Sequence, residues 1–219
     1  MNGTDLLRRR EALIAMGAGV GAIAGIDALW RPLEAEGAGC LLQREVTEGP
    51  YYLDLDLVRR DITGDRRGAP LTLAFTVVDA GSCSMIRNAM VEIWHADADG
   101  DYSGVPGTGG TWLRGGQRTN AEGRARFDTI VPGWYPGRTP HIHMKVFAGG
   151  DEVHTGQVFF RAKTLAQVYS RGVYADRGTA DTPNADDSIY RAAGSRAIVP
   201  LRRKGAGWAG GLTIGVQRS

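Results

Sequence analysis

The sequence predicts an all-β fold, an antiparallel sandwich forming one domain. Three observations predict it. Glycine supplies 32 of the 219 residues, about twice ordinary usage. Short β-branched and aromatic runs lie between the glycines and alternate apolar with polar residues, the period of a strand with one buried face. These runs follow one another closely, with turn residues between them, as in a sandwich. No internal repeat is visible, and 219 residues suffice for one domain with a real core. The 26 basic and 24 acidic residues nearly balance, so nothing points to nucleic acid as a partner.

At the N-terminus, Arg8-Arg9-Arg10 precedes an uncharged Ala/Gly-rich run over residues 12–26. That run is too short and too weakly apolar for a membrane span. Paired arginines before a mild apolar stretch resemble a twin-arginine export signal. Residues 1–39 are therefore expected to be a signal peptide and linker, and residues 40–219 the sandwich domain. The alternative is an amphipathic or disordered arm. Ala35-Glu36-Gly37 and Gly37-Ala38-Gly39 are both candidate cleavage sites. An exported chain would be secreted or extracytoplasmic, with no stable membrane span after processing. Cys40 and Cys83 are the two cysteines, and in that compartment they are expected to pair. Two separate buried thiols are the alternative.

Residues 71–79 alternate, with Leu71, Leu73, Phe75 and Val77 on one face, and predict a strand. Residues 89–95 predict a second. A Gly/Asp-rich loop follows over residues 97–110 and carries Tyr102. Residues 112–119 and 124–130 flank Asn120-Ala121-Glu122-Gly123, the signal of a hairpin. In the second arm Ala125 and Phe127 should point inward and Asp128 outward. Residues 141–147 and 155–160 predict two further strands around Gly149-Gly150-Asp151. A short helix is expected over residues 164–170, a polar loop over 174–187 and a closing strand over 212–216. Arg202-Arg203-Lys204 reads as a solvated loop. Trp94, Trp112 and Trp134 read as core, His154 as a surface residue, and His95 as a structural hydrogen-bonding residue. No strand-loop-helix glycine motif supports nucleotide binding.

His141 and His143 stand at i and i+2 on a predicted strand, so both imidazoles face the same way. Alone, that pair suits zinc, copper, nickel or iron equally. No cysteine lies nearby to close a structural zinc site. Tyr135 precedes His141 by six residues on a Pro/Gly turn that also carries Arg138. A phenol ionises at neutral pH only beside a highly charged cation. Two phenolates with two imidazoles would therefore favour Fe(III).

Four stretches, in order, resemble the intradiol ring-cleavage dioxygenases. Thr47-Glu48-Gly49-Pro50-Tyr51 resembles the pocket-lining segment of the protocatechuate branch. Val91-Glu92-Ile93-Trp94-His95 with Gly100-Asp101-Tyr102-Ser103 resembles the strand and loop of the first tyrosine ligand. Gly133-Trp134-Tyr135-Pro136, with Arg138 before His141, resembles the second tyrosine and the active-site arginine. Gly156-Gln157-Val158-Phe159-Phe160 resembles the strand of a supporting glutamine. The polar loop over residues 174–187 has no counterpart in the resemblance.

The resemblance implies the β-sandwich of that family, with long active-site loops. It implies Tyr102, Tyr135, His141 and His143 as ligands of one non-haem Fe(III) per chain. Arg138, Tyr135 and Gln157 become the catalytic set, and Thr47, Gly49, Pro50 and Tyr51 the substrate wall. Tyr51 and Tyr52 also read as plain core aromatics. The implied partners are a small aromatic diol and O₂, and a homo-oligomer stays open. The implied reaction inserts both oxygen atoms and cleaves between the hydroxyl-bearing carbons to a muconate-type product. Two alternatives remain on the residues: a secreted β-sandwich binding module with a vestigial metal site, and a zinc hydrolase built on His141 and His143.

Overall fold

The computed structural model describes residues 40–218. The expected export signal over residues 1–39 lies outside them. Among the described residues, eight strands form two four-stranded sheets. They are β1 (Pro70–Asp79), β2 (Met90–Trp94), β3 (Arg114–Arg118), β4 (Arg124–Ile130), β5 (His141–Ala148), β6 (Asp151–Phe159), β7 (Leu201–Lys204) and β8 (Gly207–Val216). One sheet has the order β4-β1-β8-β7 and the other β3-β2-β5-β6. Between β6 and β7 lie α1 (Ala162–Tyr169), a 3₁₀ segment (Gly172–Arg177) and α2 (Ser188–Ala193).

The two inner faces follow from strand alternation. Leu71, Leu73, Phe75 and Val77 of β1 and Ala125 and Phe127 of β4 meet Val91 and Ile93 of β2 and Ile142, Met144 and Val146 of β5. All are essentially inaccessible, and each large side chain contributes about 1.5–3 kcal/mol of burial. Alternation then sends His141, His143 and Lys145 to the opposite face of β5. The site is therefore built on the outer side of one sheet, not inside the sandwich. Cross-strand register sets Trp94, His143 and Gln157 in one row, and Glu92, Lys145 and Thr155 in the next.

Several expectations need correction. The turn at residues 120–123 forms, with Asn120 Oδ1 accepting from the N–H of Arg124 at 2.8 Å. Yet β3 pairs with β2, and β4 pairs with β1. The turn is a corner between sheets because each flank is captured separately. Thr119 exchanges backbone bonds with Asn88 and Ala89, while the Val77 N–H donates to the Gly123 carbonyl. The sandwich is also not wholly antiparallel, since β1 and β8 run parallel. A parallel pair needs a long crossover, and the helical stretch between β6 and β7 is part of it.

Arg202-Arg203-Lys204 belongs to the edge strand β7 rather than a loop, and Arg203 stacks 4.7 Å over Trp208, its partner in register. Exposed cationic residues are what an unpaired sheet edge tolerates. His154 is buried, not superficial. Alternation places it on the face of Val158, and Gly156 between them leaves room for its ring, which a Cβ there would meet at 2.6 Å. The expected polar loop is partly helical and ends on Asp187, the cap of α2. Trp94 is core, whereas Trp112 and Trp134 are half-buried under Arg66 and Arg177. Cys40 and Cys83 form a disulfide spanning 43 residues. Among the described residues, no helix is long and apolar enough to cross a membrane.

Candidate active site

His141 and His143 stand on β5 with Nε2 atoms 3.1 Å apart. Tyr102 Oη lies 3.0 Å from His143 Nε2 and 3.5 Å from His141 Nε2. Tyr135 Oη lies 3.2 Å from His141 Nε2. Four donor atoms from one strand and two loops thus surround one point.

Local chemistry puts each of them there. Tyr102 sits on a loop folded around Asp97, whose Oδ1 accepts from the N–H groups of Asp99 and Asp101 at 2.9 and 3.1 Å. Gly100 in that loop has φ +91° and lies against the Trp134 carbonyl, leaving no room for a side chain. Tyr135 and Arg138 are the first and last residues of a β-turn, with the Arg138 N–H donating to the Tyr135 carbonyl at 3.2 Å. Pro136 and Gly137, at φ +81°, occupy its centre, the residue pair that a type II turn demands. Trp94 stacks flat on His143, and Tyr51 stacks on Tyr102 with centroids 4.5 Å apart.

His141 Nδ1 donates to the Thr139 carbonyl at 2.7 Å, which leaves Nε2 with a bare lone pair. His143 Nδ1 has no hydrogen-bond partner, so that ring engages polar atoms only through Nε2. Burial, reinforced by Arg138, pushes His141 down to about 3. Burial, then His141 and Arg138, hold His143 well below its ordinary value. Burial raises both phenols, Tyr102 strongly. The cluster by itself is thus two neutral imidazoles and two neutral phenols.

That donor set fits a metal. Bonds of about 2.1 Å to a first-row transition ion place adjacent donors roughly 3.0–3.5 Å apart, as here. Among the described residues, no group of three or more His, Cys, Asp or Glu side chains converges. A cation held here would therefore take phenol oxygens, and its charge would reverse their reluctance to ionise.

Arg138 is spread over four partners. Its Nε donates to Asp187 Oδ2 at 2.8 Å and one Nη to Gln157 Oε1 at 2.6 Å. The other Nη lies 3.4 Å from His141 Nε2 and 3.5 Å from Tyr135 Oη. Gln157 in turn donates to the Thr47 carbonyl at 2.9 Å. Gly49 packs so closely on His143 that a Cβ would meet its ring at 2.9 Å. Thr47, Gly49 and Tyr51 therefore sit beside the donor cluster, with Pro50 exposed between them. His95 is buried apart from it, bonded to the Ala96 carbonyl and to Thr129 Oγ1.

Sequence reasoning missed three supporting side chains. Arg114 is buried and donates to the carbonyls of Tyr51 and Ser103 at 2.6 and 2.7 Å, fixing the segments of both stacked tyrosines. Lys145 ties Glu48 to Glu152. Asp187 holds Arg138. The placement of Lys145 two residues after His143, on the same strand face, was a readable signal for one of them.

A family model described as "Dioxygenase" matches residues 47–175. The protocatechuate 3,4-dioxygenase beta chain of Burkholderia cepacia is 34% identical over 134 residues, covering 55% of this chain and 53% of that one. The chain thus spans about half the length of the curated relatives it matches. An intradiol ring-cleavage dioxygenase from Tetranychus urticae superposes with a TM-score of 0.77 at 34% identity, over 81% of this chain and 95% of that one. The dioxygenase domain of a dioxygenase carbohydrate-binding protein fusion from Streptomyces sp. SirexAA-E gives 0.63 at 28% identity, over 81% and 99%. With more than half its length matched by the family model and its two-sheet fold shared with such structures, the chain belongs to the intradiol ring-cleavage dioxygenase family.

Proposed function

We propose that the domain is a non-haem Fe(III) dioxygenase acting on a catechol-type ring. Both atoms of O₂ enter the substrate, and the bond between the two hydroxyl-bearing carbons breaks to give a muconate-type diacid. The observation that carries this reading is the convergence of Tyr102, Tyr135, His141 and His143 at 3.0–3.5 Å with one Arg138 nitrogen aimed among them. A binding module has no use for that full set, and a zinc hydrolase lacks the third histidine or carboxylate expected of it.

Tyr102, Tyr135, His141 and His143 would hold the ion. Ferric iron, when bound, would draw electron density from a catecholate and ready its ring for O₂. Tyr135 is the less buried of the two phenols, so its Oη is the better placed to take a catechol hydroxyl proton. Arg138 offers positive charge beside that oxygen, where a guanidinium stabilises charge developing on the ring. Trp94 and Tyr51 cover the donor cluster and exclude water from it. Residues 47–51 form the wall against which the aromatic ring would lie.

The domain is also proposed to act outside the cytoplasm. The Cys40–Cys83 disulfide supports this, because such crosslinks persist in oxidising compartments, as does the arginine run at residues 8–10.

The test is direct. Protein loaded with ferric iron should be red-brown from tyrosinate-to-iron charge transfer, and catechol should yield a muconate. Tyr135→Phe should shift that colour and cut turnover by about 10- to 100-fold or more. Colourless, zinc-loaded protein, or cleavage outside the two hydroxyl carbons, would sink the reading.

A further inference from the structure

Asp187 lies in the stretch for which the resemblance supplies no counterpart, yet it is 2% exposed and touches the active-site arginine. Its two oxygens face different structures. Oδ1 accepts from the N–H groups of Ile189 and Tyr190 at 2.8 and 3.0 Å and so caps α2. Oδ2 accepts from Arg138 Nε at 2.8 Å and from the Thr139 N–H at 3.0 Å. Asn184 closes the same corner, accepting from Thr139 Oγ1 at 2.5 Å and donating to the Phe160 carbonyl at 2.9 Å.

The geometry of Arg138 gives this contact its meaning. A guanidinium is a rigid planar fork. Asp187 holds it at Nε and Gln157 holds it at one Nη. With two of three nitrogens fixed, the third can point only where it does, toward Tyr135 Oη and His141 Nε2. Released from Asp187, the side chain would swing about the Gln157 contact and carry that nitrogen away.

We infer that Asp187 is a positioning residue for the ring-cleavage reaction: through Oδ2 it fixes the plane of Arg138, and through Oδ1 it makes that plane depend on α2. This rests on the function proposed above. Residues 184–193 are then part of the active-site scaffold, although none of them touches the donor cluster.

Asp187→Asn tests it, because asparagine caps a helix as well as aspartate does. With Oδ1 kept on α2, its amide N–H₂ would face the N–H groups of Arg138 and Thr139, donor against donor. Crystals of metal-free wild type and variant should show the Arg138 guanidinium displaced in the variant. With catechol, kcat should fall about 10- to 100-fold with KM nearly unchanged. On an Arg138→Gln background the same change should cost less than about twofold, since coupled residues are non-additive. Ser188→Gly, which loosens α2 without touching the carboxylate, should lower the melting temperature and also lower kcat, by less than Asp187→Asn does. If Asp187→Asn does not fold, Asp187→Ser replaces it, keeping a cap that cannot reach Arg138. An unmoved guanidinium with full kcat, or a loss repeated in full on the Arg138→Gln background, overturns the inference. If wild type opens no catechol ring, the proposed reaction fails, and the guanidinium position in the two crystals still decides the role of Asp187.

Discussion

Trp94 lies face to face with His143, ring centroids 5.0 Å and planes 9° apart. The two are register partners on β2 and β5, so the pair is a cross-strand contact on the outer face of the sheet. Tyr52 also packs on Trp94, tilted, with centroids 5.0 Å apart. The Trp94 indole N–H is buried with no hydrogen-bond partner, an unusual state for a buried tryptophan. Its role is therefore to hold the imidazole by its ring face.

That contact predicts an uneven mutational series. Trp94→Phe loses part of the stacked area but also removes an unpaired N–H. It should cost under about 1.5 kcal/mol in urea unfolding of the metal-free protein. Trp94→Ala should cost about 3–5 kcal/mol, the usual range for emptying an aromatic site. It should also weaken ferric iron binding in a titration, because His143 has no Nδ1 hydrogen bond to hold its ring. If Trp94→Phe and Trp94→Ala were equally destabilised, the indole N–H would have an unseen partner.

The buried imidazoles set the acid limit of the metal-free protein. Burial holds His141 near 3 and His95 near 4, and His143 well below its ordinary value. Each has a folded pKa below its unfolded value of about 6.5. Below that pH the unfolded chain binds protons that the folded chain refuses, so stability falls as pH falls. Burial lowers His154 as well, and each such group adds up to about 1.4 kcal/mol per pH unit to the slope below roughly pH 6. Melting temperatures of metal-free protein across that range should drop steeply. His95→Gln, away from the donor cluster, should shallow the slope by up to about 1.4 kcal/mol per pH unit. A flat profile down to pH 4 would mean that the rings are hydrated rather than buried.

How far the sequence could be read depends on the distance over which each contact acts. The paired imidazoles were legible because period-two alternation alone puts His141 and His143 on one face. The Tyr135 turn was legible because Pro136-Gly137 is a local signal. The sheet to which each strand belongs was not. Asn120 and Gly123 make the same turn whether their flanks pair with each other or with two different sheets, and only Val77 and Asn88, far along the chain, decide it. Arg114 and Asp187 were missed for the same reason. Each looks like an ordinary surface charge until strands or loops distant in sequence bury it.

Lys145 gives the last prediction. Its side chain is nearly buried, with Nζ 2.7 Å from Glu48 and 2.8 Å from Glu152, and 4.3 Å over the Tyr52 ring. Glu48 belongs to the proposed pocket wall and Glu152 does not. Three side chains therefore hold the wall: Lys145 at Glu48, Gln157 at the Thr47 carbonyl and Arg114 at the Tyr51 carbonyl. Both glutamates are over two-fifths exposed, so each tolerates losing its partner, and the net stability at stake is under about 1 kcal/mol. Lys145→Met keeps the apolar stem over Tyr52 and removes the charge. It should raise KM for the catechol about threefold or more and leave kcat within about twofold, the signature of lost uniform binding. Glu152→Gln weakens one Lys145 pair without touching the wall, and should keep the wild-type KM. Equal KM values for wild type and Lys145→Met would show that Gln157 and Arg114 suffice to hold the wall.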